Sequence, residues 1–161
     1  LRLYEFEGKE LFRRESIATP RGKIAADVAS AVAASEEMGL PVVLKAQVLT
    51  GGRGKAGGVR IARAKEEVSR FAEEIFRLAI SGFSVEKLLV EECLNVEREL
   101  YVGVSIDRVR YCLAVLACSE GGVEIEQTAK AFPQKIRRVD LKVNEEMFPH
   151  QALFLAKSMG L

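Results

Sequence analysis

The sequence predicts an α+β fold. Three observations carry that expectation. Apolar runs of strand length alternate with amphipathic helical segments through the first ninety residues. Two apolar stretches, 100–106 and 111–118, then stand back to back as a hairpin, which demands antiparallel pairing. The order helix, β-α-β-loop-β-α-β, hairpin and further helices departs from the regular βαβ winding of a parallel sheet. With 161 residues and 48% hydrophobic content the chain is long enough to bury a core, as one domain or two small lobes.

Taken in order, residues 3–15 set Leu3, Tyr4, Gly8, Leu11 and Phe12 near one face, with Glu7, Lys9, Glu10 and Arg13 elsewhere. That is an amphipathic helix ending before Thr19-Pro20. Residues 22–26 form a short strand. Asp27 is suited to cap a helix that carries Val28, Ala31, Val32 and Met38 and stops at Gly39. Residues 41–46 and 59–62 are strands. The strongest helical pattern covers 66–80, where Val68, Phe71, Ala72, Ile75, Phe76 and Ala79 recur at intervals of three and four. Residues 85–93 read as a strand, and 100–106 with 111–118 as a hairpin turned at 107–110. Residues 123–132 read as a helix, 136–143 as a strand and 149–159 as a last helix.

The centre of the chain is the stretch 44–61. An apolar strand delivers Lys45, the turn Gly51-Gly52-Arg53-Gly54-Lys55-Ala56-Gly57-Gly58 follows, and a second apolar strand leads away. Glycines let successive backbone N–H groups converge on one anion, and fixed cations add charge, so the pattern suits phosphate. The loop is not a Walker P-loop, because Lys55 is followed by Ala56 and the chain continues as a strand rather than a helix. A hairpin whose turn happens to be basic and glycine-rich is the competing reading. A second stretch, 88–103, ends a buried strand in Glu91 and Glu92, crosses a short linker through Leu94 and restarts with Glu99. Such a hinge offers free backbone groups to a purine edge and carboxylates to ribose hydroxyls. Solvated charges at strand ends are the competing reading there.

These motifs together resemble the β subunits of succinyl-CoA synthetase, a family of ATP-grasp ligases. The likeness begins at Leu3-Tyr4-Glu5-Phe6 and Lys9-Glu10-Leu11-Phe12. It runs through Val43-Leu44-Lys45-Ala46-Gln47-Val48 and the 51–59 block to Leu89-Val90-Glu91 and Glu99-Leu100-Tyr101. It ends with Glu120-Gly121-Gly122-Val123-Glu124-Ile125-Glu126 and Pro149-His150-Gln151-Ala152. The resemblance implies an ATP-grasp fold of two lobes, the smaller spanning 20–94 and the larger built from 1–19 and 95–161, incomplete in this chain. It implies that Lys45, Gly52, Arg53 and Gly54 contact the nucleotide phosphates, that Glu91 and the backbone near Leu94 hold the base, and that Glu99 holds the ribose. The nucleotide is ATP or GTP with Mg²⁺, and Pro20 leans it toward adenine. No catalytic residue is expected in this chain. The phosphohistidine would sit on a partner α subunit in an αβ or α2β2 assembly, and the metal ligands and a CoA-ligase-like domain would lie beyond Leu161. The substrates implied are succinate and CoA, at a step of the tricarboxylic acid cycle, with malate- or citrate-using ligases as alternatives. On that reading the chain is the N-terminal portion of a β subunit and is inactive alone, and Leu1 stands where the family begins with Met.

Composition narrows the remaining classes. Lys and Arg number 24 against 23 Asp and Glu, a formal net charge of +1, so no global field favours nucleic acid or an anionic membrane. A loop gripping a nucleic-acid backbone is the alternative from the binding-module class, yet Phe71 and Phe76 lie on the apolar stripe of a helix rather than on a stacking surface. With no apolar run near the ~20 residues of a spanning helix, a cytoplasmic protein is expected. Cys93, Cys112 and Cys118 are odd in number without CxxC spacing and read as buried free thiols. His150 reads as a helix-start surface residue.

Overall fold

A computed structural model describes residues 2–122 and 131–161. The chain folds as two compact units, Leu1–Asn95 and Val96–Leu161. The first helix, expected with the larger lobe, belongs to the first unit.

In the first unit, α1 (Glu5–Arg14), β1 (Gly22–Ala25), α2 (Val28–Met38), β2 (Val42–Ala46), β3 (Val59–Ala62), α3 (Lys65–Phe76), β4 (Ala79–Ile80), β5 (Phe83–Ser84) and β6 (Leu88–Glu92) follow in order. Four strands make an antiparallel sheet in the order β1-β6-β2-β3. Alternation along β2 turns Val42, Leu44 and Ala46 to one face, where they bury with Ala25, Ala62, Leu88 and Val90. Helices α2 and α3 cover that face through Ala31 and Ala34 and through Val68, Ala72 and Ile75. The core of this unit is the layer between them. Asp27 caps α2 as expected, its Oδ1 accepting from the Ser30 N–H at 2.7 Å, and Gly39 ends the helix at φ +80°. The opposite face of the sheet carries Val43 and Lys45 on β2 with Leu89 and Glu91 on β6. Period-2 alternation therefore takes Lys45 out of the main core while leaving its backbone at the sheet centre.

Two expectations change. The helix predicted over 66–80 stops at Phe76, and Ala79–Ile80 pairs with Phe83–Ser84 around Ser81 and Gly82, both at positive φ. The helical spacing of Ala79 is fortuitous, because Ile80 reaches the main core from a strand instead. The amphipathic reading of α1 is also inverted. Leu3, Leu11 and Phe12 are exposed, whereas Glu5 and Lys9 turn toward the sheet. Ion pairs to β2 and β6, not apolar burial, mark the inward side of this helix.

The second unit holds β7 (Tyr101–Asp107), β8 (Cys112–Cys118), β9 (Ile136–Lys142) and α4 (Pro149–Ser158). The three strands form an antiparallel sheet in sequence order. The β7–β8 turn is fixed by Asp107, whose Oδ1 accepts from the N–H groups of Val109 and Arg110, both at 3.0 Å. Leu155 of α4 and Met159, which caps its C-terminus, pack on Val115, Ala117 and Leu141, a core separate from that of the first unit. Cys112 and Cys118 are buried free thiols as expected, and Cys93 is half-buried. The helix predicted over 123–132 lies almost wholly outside the described residues.

Candidate functional site

The loop between β2 and β3 closes on itself. Ala46 N–H donates to the Gly58 carbonyl at 2.7 Å and Gly58 N–H to the Arg53 carbonyl at 2.8 Å, so Gly58 draws the base of the loop shut. A Cβ on Gly58 would stand 2.8 Å from Ile80 Cδ1 and 3.1 Å from Ala46 Cβ, too close for any side chain without a shift of its neighbours. Gly51, Gly52 and Gly54 are different. A Cβ on any of them meets nothing within 4 Å, so packing does not account for these glycines, although Gly52 adopts φ +80°. Their bare backbone borders open space, the shape of an anion cradle.

Behind that loop lies an ion cluster. Lys45 Nζ donates to Glu91 Oε2 at 2.7 Å and to Glu5 Oε1 at 3.0 Å. Lys9, one turn after Glu5 on α1, pairs with the same Glu5 oxygen at 3.0 Å and with Glu91 Oε1. Glu5, Lys9, Glu91 and Lys45 thus close a ring of alternating charge. Arg53 extends it, with Nη1 2.8 Å from Glu5 Oε2 while its N–H is aimed at the Ala46 carbonyl at 3.0 Å. Glu5 Oε2 is buried and receives no aligned hydrogen bond. Burial of Glu5 is the largest influence on its pKa and acts upward, but the hydrogen bonds and charges of Lys9 and Lys45 together prevail and hold it down at about 2. For Lys45 burial acts downward, and the bonds and charges of Glu91 and Glu5 outweigh it and raise its pKa. By side-chain type the cluster sets three basic groups, Lys9, Lys45 and Arg53, against two carboxylates, Glu5 and Glu91.

Of the residues expected from the sequence, the structure brings together Lys45, Arg53 and Glu91 and sets Gly52 and Gly54 in the loop beside them. Glu91 is no solvated strand-end charge: it is 2% exposed, with both oxygens held by lysines. Glu92 pairs instead with Arg21 at 2.9 Å. Leu94 is exposed just after β6, and Glu99 belongs to the second unit. There the Gly121 N–H donates to the Glu99 carbonyl at 2.9 Å, and the Glu99 carboxylate lies against Gly122, where any Cβ would collide with it. Sequence reasoning missed Glu5 and Lys9. Their i, i+4 spacing is that of any solvated helix pair, and no local signal distinguishes a pair that turns inward.

A cleft of about 280 Å³ opens nearby, bordered by Tyr4, Gln47, Leu49, Phe83, Glu86 and Lys87. None of the predicted site residues lines it, and the place between Lys45 and Arg53 is filled by the Glu5 carboxylate. His150 is exposed at the start of α4, its ring stacked on Phe148 at 5.8 Å. Among the described residues no group of three His, Cys, Asp or Glu is placed to hold a metal ion, and no helix is long and apolar enough to cross a membrane.

Comparison with known proteins bears on this geometry. A family model described as an ATP-grasp domain matches residues 2–161. The β subunit of an ADP-forming succinate–CoA ligase from Methanothermobacter thermautotrophicus is 42% identical over the whole chain. Its counterpart from Burkholderia thailandensis is 40% identical, again over the whole chain. The chain spans 44% of the length of each of these relatives. Among solved structures, the dinucleotide-forming acetyl-coenzyme A synthetase 1 of Ca. Korarchaeum cryptofilum, in complex with coenzyme A and Ca-AMPCP, superposes with a TM-score of 0.78. It is 25% identical, over 96% of this chain and 65% of that one. An ATP citrate lyase from Methanothrix soehngenii shares the fold at a TM-score of 0.67 and 20% identity.

Proposed function

The chain belongs to the ATP-grasp family, and from that premise we propose that it is the nucleotide-binding part of an acid–CoA ligase β subunit. The observation that carries the reading is the convergence of Lys45 and Arg53 on one carboxylate beside a glycine loop in which the Cβ positions of Gly51, Gly52 and Gly54 are empty. A lysine on a central strand and an arginine of the loop that follows it are worth their desolvation only when an anion rewards them. Lys45, Gly52, Arg53 and Gly54 take the phosphates of the nucleotide. The stretch from Glu91 to Leu94 takes the base, with the Leu94 backbone as a contact, while Glu91 also fixes the position of Lys45. Glu99 takes the ribose. The nucleotide is ATP rather than GTP, in keeping with the ADP-forming names of the relatives.

In the complete synthetase this part positions the triphosphate and neutralises charge as the γ-phosphoryl group passes to a histidine of an α subunit, on the way between succinate plus CoA and succinyl-CoA. Malate or citrate in place of succinate is the alternative acid. The assembly is αβ or α2β2 and works in the cytoplasm as part of the tricarboxylic acid cycle. Mg²⁺ accompanies the nucleotide on this reading, with its ligands supplied by other residues of the synthetase.

Calorimetric titration of ADP into the chain and its variants tests the phosphate reading. Arg53→Ala and Lys45→Ala are each expected to weaken binding by about tenfold or more, since each removes a charge-assisted donor. Arg53→Ala is the cleaner of the two. Lys45→Ala also leaves buried Glu91 with Lys9 as its one remaining cation, so it lowers stability as well. Unchanged ADP affinity in Arg53→Ala would sink the assignment.

A further inference from the structure

The ion cluster contains an anion whose place is unusual. One carboxylate, Glu5, serves three cations at once: Lys9 and Lys45 at 3.0 Å on Oε1 and Arg53 at 2.8 Å on Oε2. The other, Glu91, is pinned in the middle of a paired strand and is 2% exposed. Glu5 is the first residue of α1, at the open end of the helix, and its Oε2 lacks an aligned donor. Of the two carboxylates it is the one not fixed within a strand paired on both sides. If it swings away, Lys9, Lys45 and Arg53 face Glu91 alone, and the cluster carries a charge of +2. What then stands open is a place reached by two ammonium groups, a guanidinium and a bare glycine loop. It matches an anion of two negative charges with several acceptor oxygens.

We propose that Glu5 is the resident anion of the phosphate site: its carboxylate holds the place a nucleotide phosphate takes, and the phosphate binds by displacing it. The inference rests on the phosphate reading above. It makes Glu5 a determinant of specificity. In the ligand-free protein it keeps three like charges from repelling one another and holds Lys45 and Arg53 near their working positions. A monovalent anion replaces one carboxylate with no gain in charge, so it does not compete. A phosphate chain gains charge and spare acceptors, and its affinity is what remains after Glu5 is expelled.

The test is calorimetric titration of ADP and of adenosine into the full chain, the parent beside Glu5→Gln, Glu5→Ala and Arg53→Ala. Glutamine keeps the size of Glu5 without its charge. Alanine suits a first helical position and serves if the glutamine variant does not give a folded circular dichroism spectrum. Either variant is expected to bind ADP about tenfold more tightly than the parent, a change of ~1.4 kcal/mol. Adenosine, which has no phosphate to compete, is expected to bind all of them alike. A residue of purely structural importance would weaken both ligands, and a folded Glu5 variant that loses ADP affinity overturns the proposal. Equal ADP affinity in parent and Glu5 variants, with Arg53→Ala still weaker, overturns the displacement and leaves the phosphate site standing. Equal affinity in all of them, Arg53→Ala included, overturns both.

Discussion

At the scale of single residues the first unit is governed by charge neutralisation at one point. The groups facing Glu5 are Lys9 from its own helix, Lys45 from β2 and Arg53 from the loop, with Glu91 of β6 bridging the two lysines. Its folded pKa, about 2, lies below the ordinary 4.5. The ionised form is therefore favoured by folding. The stability it contributes is fully present above pH 4.5 and is lost as pH falls toward 2. Thermal melts from about pH 6 to pH 3 are expected to fall more steeply for the parent than for Glu5→Gln, and parallel curves would contradict the cluster. Other lowered carboxylates, such as Asp107 beside Arg138, are common to both proteins and cancel in the comparison. Glu99 makes a second residue-scale case. Its carboxylate lies against Gly122, and as the ribose ligand it should discriminate sugars by offering hydroxyls a partner. ATP is expected to outbind dATP in the complete synthetase, and Glu99→Ala to erase the difference. Equal binding of the two nucleotides by the parent would assign Glu99 another role.

At the scale of elements, the loop between β2 and β3 separates two uses of glycine. Gly58→Ala forces a Cβ to within 2.8 Å of Ile80 Cδ1 and is expected to cost about 1–3 kcal/mol of stability, read as a lower urea midpoint. Gly54→Ala meets open space, so its midpoint should hold while ADP binding weakens, because the methyl occupies the approach to the loop backbone. Loss of stability in Gly54→Ala would make that glycine structural too. The element pattern itself was readable: β3 matches its predicted span, and α2, β6, β8 and β9 end within a few residues of theirs. Alternation and caps are local signals. What local signals do not carry is the side from which a helix is read. The apolar spacing of Leu3, Leu11 and Phe12 argued for burial of that face, yet α1 is held by Glu5 and Lys9, because partners distant in sequence on β2 and β6 decide its orientation. The same holds for α3. Its periodicity continues past Phe76, but Ser81 and Gly82 supply a turn that only pairing of β4 with β5 reveals. Among site residues Lys45 and Arg53 were legible from their glycine loop. Glu5 and Lys9 were not, since their role arises from tertiary approach.

At the scale of the whole molecule, each unit carries its own core, and the predicted nucleotide contacts are divided between them, Lys45, Arg53 and Glu91 in the first and Glu99 in the second. A receiving histidine needs backbone N–H groups, from a glycine loop or a helix N-terminus, directed at the phosphorylated ring nitrogen. His150 is the one histidine of the sequence, and it has a different setting. It follows Pro149, which has no N–H to offer, its ring lies flat on Phe148, and it is exposed to water. The N–H of Gln151, the next residue along α4, is already given to the Phe148 carbonyl at 2.9 Å. The chain incubated with Mg²⁺ and ATP labelled in the γ-phosphate is therefore expected to bind nucleotide yet retain no acid-labile, base-stable label, and to form no acyl-CoA from succinate and CoA. Label is expected on a histidine of the α subunit when the complete synthetase is assembled. Stable label on His150 of this chain alone, removed by His150→Asn, would overturn the division of labour between the subunits.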